Sequence, residues 1–127
     1  MVPRMSARAI SLVRHEDGAC VVVLTGEHDL SSADELTDAL AQAAGPATLV
    51  DLSETSFIDS AVLGVLIGSH RDATAAGRSW ALVVGPGSGA AVRRILELTG
   101  LDTVLPVYAS REQALAALAG SRSGMTG

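Results

Sequence analysis

The sequence is short of cysteine, of basic residues and of long apolar runs, and each shortage excludes a class of protein. Its one cysteine, Cys20, cannot form an internal disulfide. Nine Lys and Arg residues against fourteen Asp and Glu residues give a formal charge of −5, which leaves no basic field for a nucleic-acid backbone. No apolar run approaches the roughly 20 residues that span a bilayer, and the N-terminus lacks the apolar run of a signal peptide. We therefore expect a cytoplasmic protein that binds neither nucleic acid nor membrane.

The chain is rich in small and branched apolar residues, which supply enough material for one hydrophobic core. Hydrophobic residues make up 48% of its 127 residues, and a chain of this length typically folds as one domain. We predict a single domain over residues 1–127, with an ordered core over residues 8–119. Residues 1–7 and the small, polar tail over residues 121–127 are expected to be flexible.

Apolar periodicity predicts an α/β fold in which strands alternate with helices. Strands are expected over residues 9–14, 19–25, 48–52, 79–84 and 103–108, and the element order is β-β-α-β-α-β-α-β-α. The short turn at 15–18 joins the first two strands as an antiparallel hairpin, and the later strands continue as a parallel sheet. The result is a mixed sheet of four to five strands with four helices. Pro106 favours an edge position for the last strand.

Two polar stretches, residues 26–29 and 53–60, are expected to be loops at the same edge of the sheet. A capping box formed by Ser32 and Glu35 predicts that the first helix begins at Ser32. The second helix is expected to begin at Asp59 and Ser60 and to end at Gly77. Because the carboxyl ends of parallel strands share one edge, Asp29, Asp59 and Ser60 are predicted to form one surface.

The second helix is predicted to bury one stripe and to expose another. The expected buried stripe is Leu63, Leu66, Ile67, His70, Ala73 and Thr74. Ala61, Val62 and Val65 lie outside that stripe, so we predict an exposed apolar patch for a partner next to Ser60. Gly64 and Gly68, one turn apart, are expected to leave a flat surface open to close approach.

Several motifs occur in a fixed order along the chain. They are Leu24-Thr-Gly-Glu-His-Asp29, Val50-Asp-Leu-Ser53, Phe57-Ile-Asp-Ser60 with Leu63-Gly-Val-Leu66, and Leu98-Thr-Gly-Leu101. Over residues 9–118 the chain resembles the anti-sigma factor antagonists, which are single-domain members of the STAS (sulphate transporter and anti-sigma factor antagonist) fold. The resemblance implies a cytoplasmic bacterial protein that binds an anti-sigma factor and so releases a sigma factor.

The same resemblance implies roles for particular residues. The anti-sigma factor is expected to be an ATP-using serine kinase that phosphorylates Ser60, and a phosphatase is expected to act on phospho-Ser60. Asp29, in the Gly-Glu-x-Asp segment, is expected beside that serine. The predicted partner-binding residues are Glu27, Asp29, Asp59, Ser60, Ala61, Val62 and Val65. No cofactor and no metal are expected, and the protein is predicted to be a monomer or weak homodimer.

Two positions depart from the family pattern. Val62 stands where the family has a glycine, and its bulk is expected to narrow access to Ser60. His28 stands where the family has an apolar residue, and we expect it to be a solvated loop residue.

Four alternatives remain open at this point. Ser60 by itself fits a plain helix N-cap, and the glycines at 85, 87 and 89 could hold an anion at a helix N-terminus. The same fold could also serve as a scaffold subunit that stacks with copies of itself, without regulation by phosphorylation. A serine hydrolase could use Ser60, His28 and either Asp29 or Asp59. However, Ile58 and Val62 occupy the glycine positions of a Gly-x-Ser-x-Gly elbow, so we do not expect an enzyme.

Overall fold

Five strands form one mixed sheet in the order in which they occur along the chain. The structure is a computed structural model that describes residues 8–15, 18–43 and 45–124. The strands are β1 (Ala9–Arg14), β2 (Ala19–His28), β3 (Ala47–Ile58), β4 (Ser79–Val83) and β5 (Val107–Tyr108). β1 pairs antiparallel with β2, and every later neighbour is parallel. The predicted sheet, its opening hairpin and the edge position of β5 are therefore confirmed.

Four helices cover the two faces of this sheet. They are α1 (Leu30–Gln42), α2 (Ser60–Ala75), α3 (Ala90–Thr99) and α4 (Arg111–Gly124), with a short 3-10 turn at Leu101–Thr103. Since the strands lie in sequence order, crossovers of one hand place α1, α2 and α3 on the same face. No helix within the described ranges is long and apolar enough to cross a membrane.

Side chains of alternate residues in the central strands pack into two separate hydrophobic cores, one on each face of the sheet. Val22, Val50 and Leu82 belong to the larger core, which they share with side chains of α1, α2 and α3. Their neighbours Val21, Leu49 and Ala81 belong to the smaller core, which packs against Ala114 and Leu118 of α4. This alternation is the period of two that a strand buried on both faces requires.

β2 and β3 both run further than the sequence predicted. Gly26 has a φ of 85°, and the register between β2 and β3 shifts beside it, which lets β2 continue to His28. β3 continues to Ile58, so residues 53–56 are strand and the prediction of a loop there is wrong. β3 extends beyond the end of β4, and there its backbone carbonyls accept hydrogen bonds from the loop that follows β4. The Ser88 hydroxyl donates to the Leu52 carbonyl (2.7 Å), and the Gly89 amide donates to the Thr55 carbonyl (2.9 Å).

The glycines of the 85–89 loop are needed for this close packing. A Cβ on Gly87 would lie 2.7 Å from the Ser53 carbonyl oxygen, and a Cβ on Gly89 would overlap the backbone of Ser56. Contacts this short leave no room for a side chain. The packing of the loop against β3 therefore accounts for these glycines without an anion.

Two helix boundaries also differ from the prediction. α1 begins at Leu30 with Asp29 as its N-cap, whereas Ser32 is buried in the first turn. The helix therefore starts earlier than the Ser32 capping box indicated. α4 runs to Gly124 and so extends into the segment 121–127 that was expected to be flexible. The flexibility predicted for 1–7, and for 125–127 within the C-terminal segment, lies outside the described residues.

Candidate partner-binding site

The N-termini of α1 and α2 lie side by side at one edge of the sheet. β2 and β3 are parallel neighbours whose last residues, His28 and Ile58, are paired. Asp29 follows the first of these strands and Asp59 the second, and each residue caps the helix that begins after it. The structure therefore brings the two predicted aspartates together.

Asp59 connects the two helices through its carboxylate. One oxygen, Oδ1, accepts the backbone N–H of Val62 at 3.0 Å, which caps α2. The other oxygen, Oδ2, accepts the backbone N–H of Leu30 at 3.1 Å. Leu30 is the first residue of α1, so one side chain satisfies a free N–H at the start of both helices.

Asp29 holds the first turn of α1 and an arginine from the start of β1. Its Oδ1 accepts the Ser31 backbone N–H (3.0 Å), the Ser31 hydroxyl (2.6 Å) and the Arg8 guanidinium (3.1 Å). The hydrogen bonds from Ser31, and then the Arg8 charge, hold the pKa of the Asp29 carboxyl below its ordinary value. Asp29 is therefore ionised and forms an ion pair with Arg8 on the exposed rim of the site.

Ser60 is the first residue of α2, and its side chain is exposed. Free backbone N–H groups and the helix dipole at this end favour a negative group. Glu27 is also exposed, at the end of β2. Ser60 therefore has solvent access and a local field that would stabilise a phosphate, although the nearby carboxylates oppose it.

The predicted apolar patch on α2 is wrong in one of its three members. Val62 is 0% exposed and packs in the larger core, so it cannot contact a partner. Ala61 is half-buried, and Val65 is half-buried against the same core. The buried residues of α2 are Val62, Leu63, Leu66 and Ala73. The helix is thus rotated toward Val62 relative to the predicted stripe, and Thr74 is exposed.

Two exposed apolar residues at this end of the sheet were missed from the sequence. Leu30 is 72% exposed directly after Asp29, and Phe57 is 40% exposed near the end of β3. Leu30 was missed because the sequence predicted that α1 begins at Ser32. With its true start at Leu30, the helix places this residue at the same end of the sheet as Asp59. Phe57 lies in the stretch that the sequence predicted to be a loop.

His28 is buried, not solvated. It is 1% exposed, and its ring nitrogens contact the Ser32 hydroxyl and the Thr25 carbonyl, each at 3.0 Å. Neither nitrogen is directed at Ser60, so the catalytic pair of the hydrolase alternative is not formed. The buried Val62 does not narrow access to Ser60 either.

Gly64 and Gly68 of α2 have open space where a side chain would lie. A Cβ added to Gly64 or to Gly68 would meet no other atom within 4 Å, so internal packing does not require either glycine. No group of three or more His, Cys, Asp and Glu residues in the described part of the chain could hold a metal ion.

Comparisons with known proteins agree with this geometry. A family model described as "Mlab, STAS domain" matches residues 11–106. An anti-sigma F factor antagonist of Paenibacillus polymyxa is 28% identical over 111 residues, covering 84% of this chain and 92% of that protein. The crystal structure of an anti-sigma factor antagonist from Mycobacterium paratuberculosis is 27% identical with a TM-score of 0.77, covering 92% of this chain and 98% of that one.

A third similar structure shares the fold. It is the phosphorylated form of the Bacillus cell fate determinant SpoIIAA, which is 22% identical with a TM-score of 0.64. The alignment covers 86% of this chain and 98% of SpoIIAA. The resemblance to anti-sigma factor antagonists is thus confirmed, and the match over residues 11–106 establishes that the chain belongs to the STAS-domain family.

Proposed function

We propose that this protein is a cytoplasmic anti-sigma factor antagonist that binds its anti-sigma factor through the surface around Ser60. The observation that carries the proposal is the bond from Leu30 N–H to Asp59, which joins the two helix N-termini into one surface. Exposed Leu30, whose N–H bonds to Asp59, and exposed Phe57 near the end of β3 provide apolar contact area at this end of the sheet. Asp29 and Glu27 provide charges at the rim, where they guide association and specificity.

The partner in this proposal is an anti-sigma factor that is also a serine kinase. The Ser60 hydroxyl oxygen attacks the γ-phosphorus of ATP, the bond to the bridging oxygen breaks, and ADP leaves while the hydroxyl proton is lost. Phospho-Ser60 carries about −1.5 to −2 charges at pH 7. The N-terminus of α2 solvates this charge, so the fold does not need to change.

Phosphorylation then weakens binding by changing the surface alone. The phosphate lies beside Asp59 and on the same edge as Asp29, where it borders the apolar contact area. Burying such a charge against a surface that fits a neutral hydroxyl costs several kcal/mol, and about 1.4 kcal/mol corresponds to a tenfold change in affinity. A phosphatase that removes the phosphate restores the antagonist.

The proposal is tested with purified kinase-type anti-sigma factors from the source organism. Calorimetric titration should give a complex with the unmodified protein and with Ser60→Ala, whereas Ser60→Asp should bind at least about 30-fold more weakly. Incubation with the binding partner and ATP, followed by intact-mass and peptide analysis, should place one phosphate on Ser60.

Two variants test the location of the surface. Leu30→Lys should greatly weaken binding and leave the melting temperature nearly unchanged, because Leu30 is exposed. Leu98→Lys is the matched control, since Leu98 is a similarly exposed leucine on α3. Equal affinities of Ser60→Asp and Ser60→Ala would contradict the switch. Equal losses of affinity in Leu30→Lys and Leu98→Lys would contradict the proposed location of the binding surface.

A further inference from the structure

A buried polar network lies directly beneath the Asp29 end of the site. His28 and Ser32 are 1% and 3% exposed, and they join the end of β2 to the first turn of α1. The His28 Nε2 atom lies 3.0 Å from the Thr25 carbonyl oxygen, and Nδ1 lies 3.0 Å from the Ser32 hydroxyl oxygen. Both ring nitrogens are therefore engaged, and neither takes part in the proposed phosphorylation.

The contacts fix which nitrogen of the neutral ring carries the proton. A carbonyl oxygen can only accept, so Nε2 must donate to Thr25. A neutral imidazole has one N–H, which leaves Nδ1 to accept the Ser32 hydroxyl proton. That hydroxyl also lies 3.1 Å from the Asp29 carbonyl oxygen, which already accepts the Ser32 backbone N–H at 2.9 Å. The Ser32 hydroxyl proton can therefore go either to Nδ1 or to this carbonyl oxygen, and of the two only Nδ1 has no other donor.

We propose that His28, in its Nε2–H form, is a positioning residue for the partner surface. The ring ties Ser32 to the Thr25 carbonyl across the bulge at Gly26. This fixes the first turn of α1, which carries Asp29, and sets the distance from the Leu30 N–H to Asp59. The consequence for binding rests on the proposed function, whereas the tautomer and the placement of α1 can be measured on the free protein.

The first test is made on the unmodified protein by ¹⁵N NMR of the histidine side chains, at a pH high enough for the rings to be neutral. We expect a protonated Nε2 and an unprotonated Nδ1 at His28, and the Nδ1 resonance should shift in Ser32→Ala. A protonated Nδ1 in the neutral ring, or no response to Ser32→Ala, would overturn the assignment.

The second test compares amide hydrogen exchange in the unmodified protein and in His28→Leu. This variant replaces the ring with an apolar side chain of similar size and so removes both ring contacts. The Leu30 amide should exchange about tenfold faster, the effect of losing one hydrogen bond of ordinary strength. The Val62 amide, held by the other oxygen of Asp59, and the Val22 amide, in the middle of β2, should change little. His28→Gln, which can still donate and accept, should restore part of the Leu30 protection.

The outcomes separate positioning from general stability. Equal acceleration of Leu30 and Val22 would mean that His28 only stabilises the fold, and an unchanged Leu30 would mean that it does not position α1. Either result overturns the inference and leaves the proposed function untouched. Conversely, if no anti-sigma factor binds the protein, the proposed function fails while the NMR results still decide the role of His28.

Discussion

Asp59→Ala should destabilise the protein by about 2 kcal/mol, because the side chain makes two separate contacts. Loss of the N-cap bond to the Val62 N–H, at 3.0 Å, costs about 1 kcal/mol at a typical helix. Loss of the bond to the Leu30 N–H, at 3.1 Å, costs about 1 kcal/mol more, the net value of an ordinary hydrogen bond. For a chain of this size the melting temperature should fall by roughly 8 °C.

Urea unfolding and calorimetry of purified variants measure this loss directly. Asp59→Asn is the informative intermediate. The two N–H groups contact different oxygens of Asp59, and asparagine has an acceptor oxygen at one of these positions and an NH₂ group at the other. It should therefore retain the α2 cap and recover about half of the stability. Amide exchange should then show a protected Val62 and a fast Leu30.

Asp29→Ala provides the matched control. Asp29 also caps a helix through the Ser31 N–H, but it makes no bond to the neighbouring helix in the described part of the chain. Because Asp29→Ala also loses the Ser31 hydroxyl bond and the Arg8 ion pair, the two variants are compared at the Leu30 amide and not by total stability. Asp59→Ala should speed the exchange of the Leu30 amide more than Asp29→Ala does, and equal rates in the two variants would refute the coupling of the two helix ends.

Two further predictions concern the same edge of the sheet. Gly64→Ala should stabilise the protein by about 1 kcal/mol in urea unfolding, because its Cβ meets no other atom within 4 Å, whereas Gly89→Ala should destabilise it by about 3 kcal/mol by pushing into the backbone of β3. Asp29 should stabilise the fold above the ordinary aspartate pKa, and this contribution should vanish as pH falls through the folded pKa, which the Ser31 hydrogen bonds and Arg8 lower. Asp29→Asn should therefore flatten the acid side of the stability curve, and an unchanged acid side would contradict this reading.

The sequence was sufficient for the order of the elements, because the alternation of apolar strands and amphipathic helices is strong. It also located the start of α2, where Asp59 caps a helix whose first residue is Ser60. The sequence-based prediction was wrong at positions where polar residues are buried. Thr55 and His28 read as loop residues, yet both are buried and their polar atoms bond to nearby backbone carbonyls.

The rotation of α2 could not be obtained from periodicity because its first turns carry too many apolar residues. From Ala61 to Ile67 only Gly64 interrupts the apolar run. Periodicity selects a face by contrast between polar and apolar positions, and this segment offers little contrast. The packing of α2 against α1 on one side and against the sheet below makes the choice and buries Val62.

This rotation changes which part of the molecule a partner can contact. Leu30 and Phe57 are exposed apolar residues at this end of the sheet, whereas Val62 is turned inward. Those two residues are held by backbone pairing between β2 and β3 and by the Asp59 bridge. The proposed binding face is therefore a property of the sheet edge, where two helix N-termini meet. For this reason a change in the buried support of that edge, such as His28→Leu, should alter the face without touching any residue that the partner contacts.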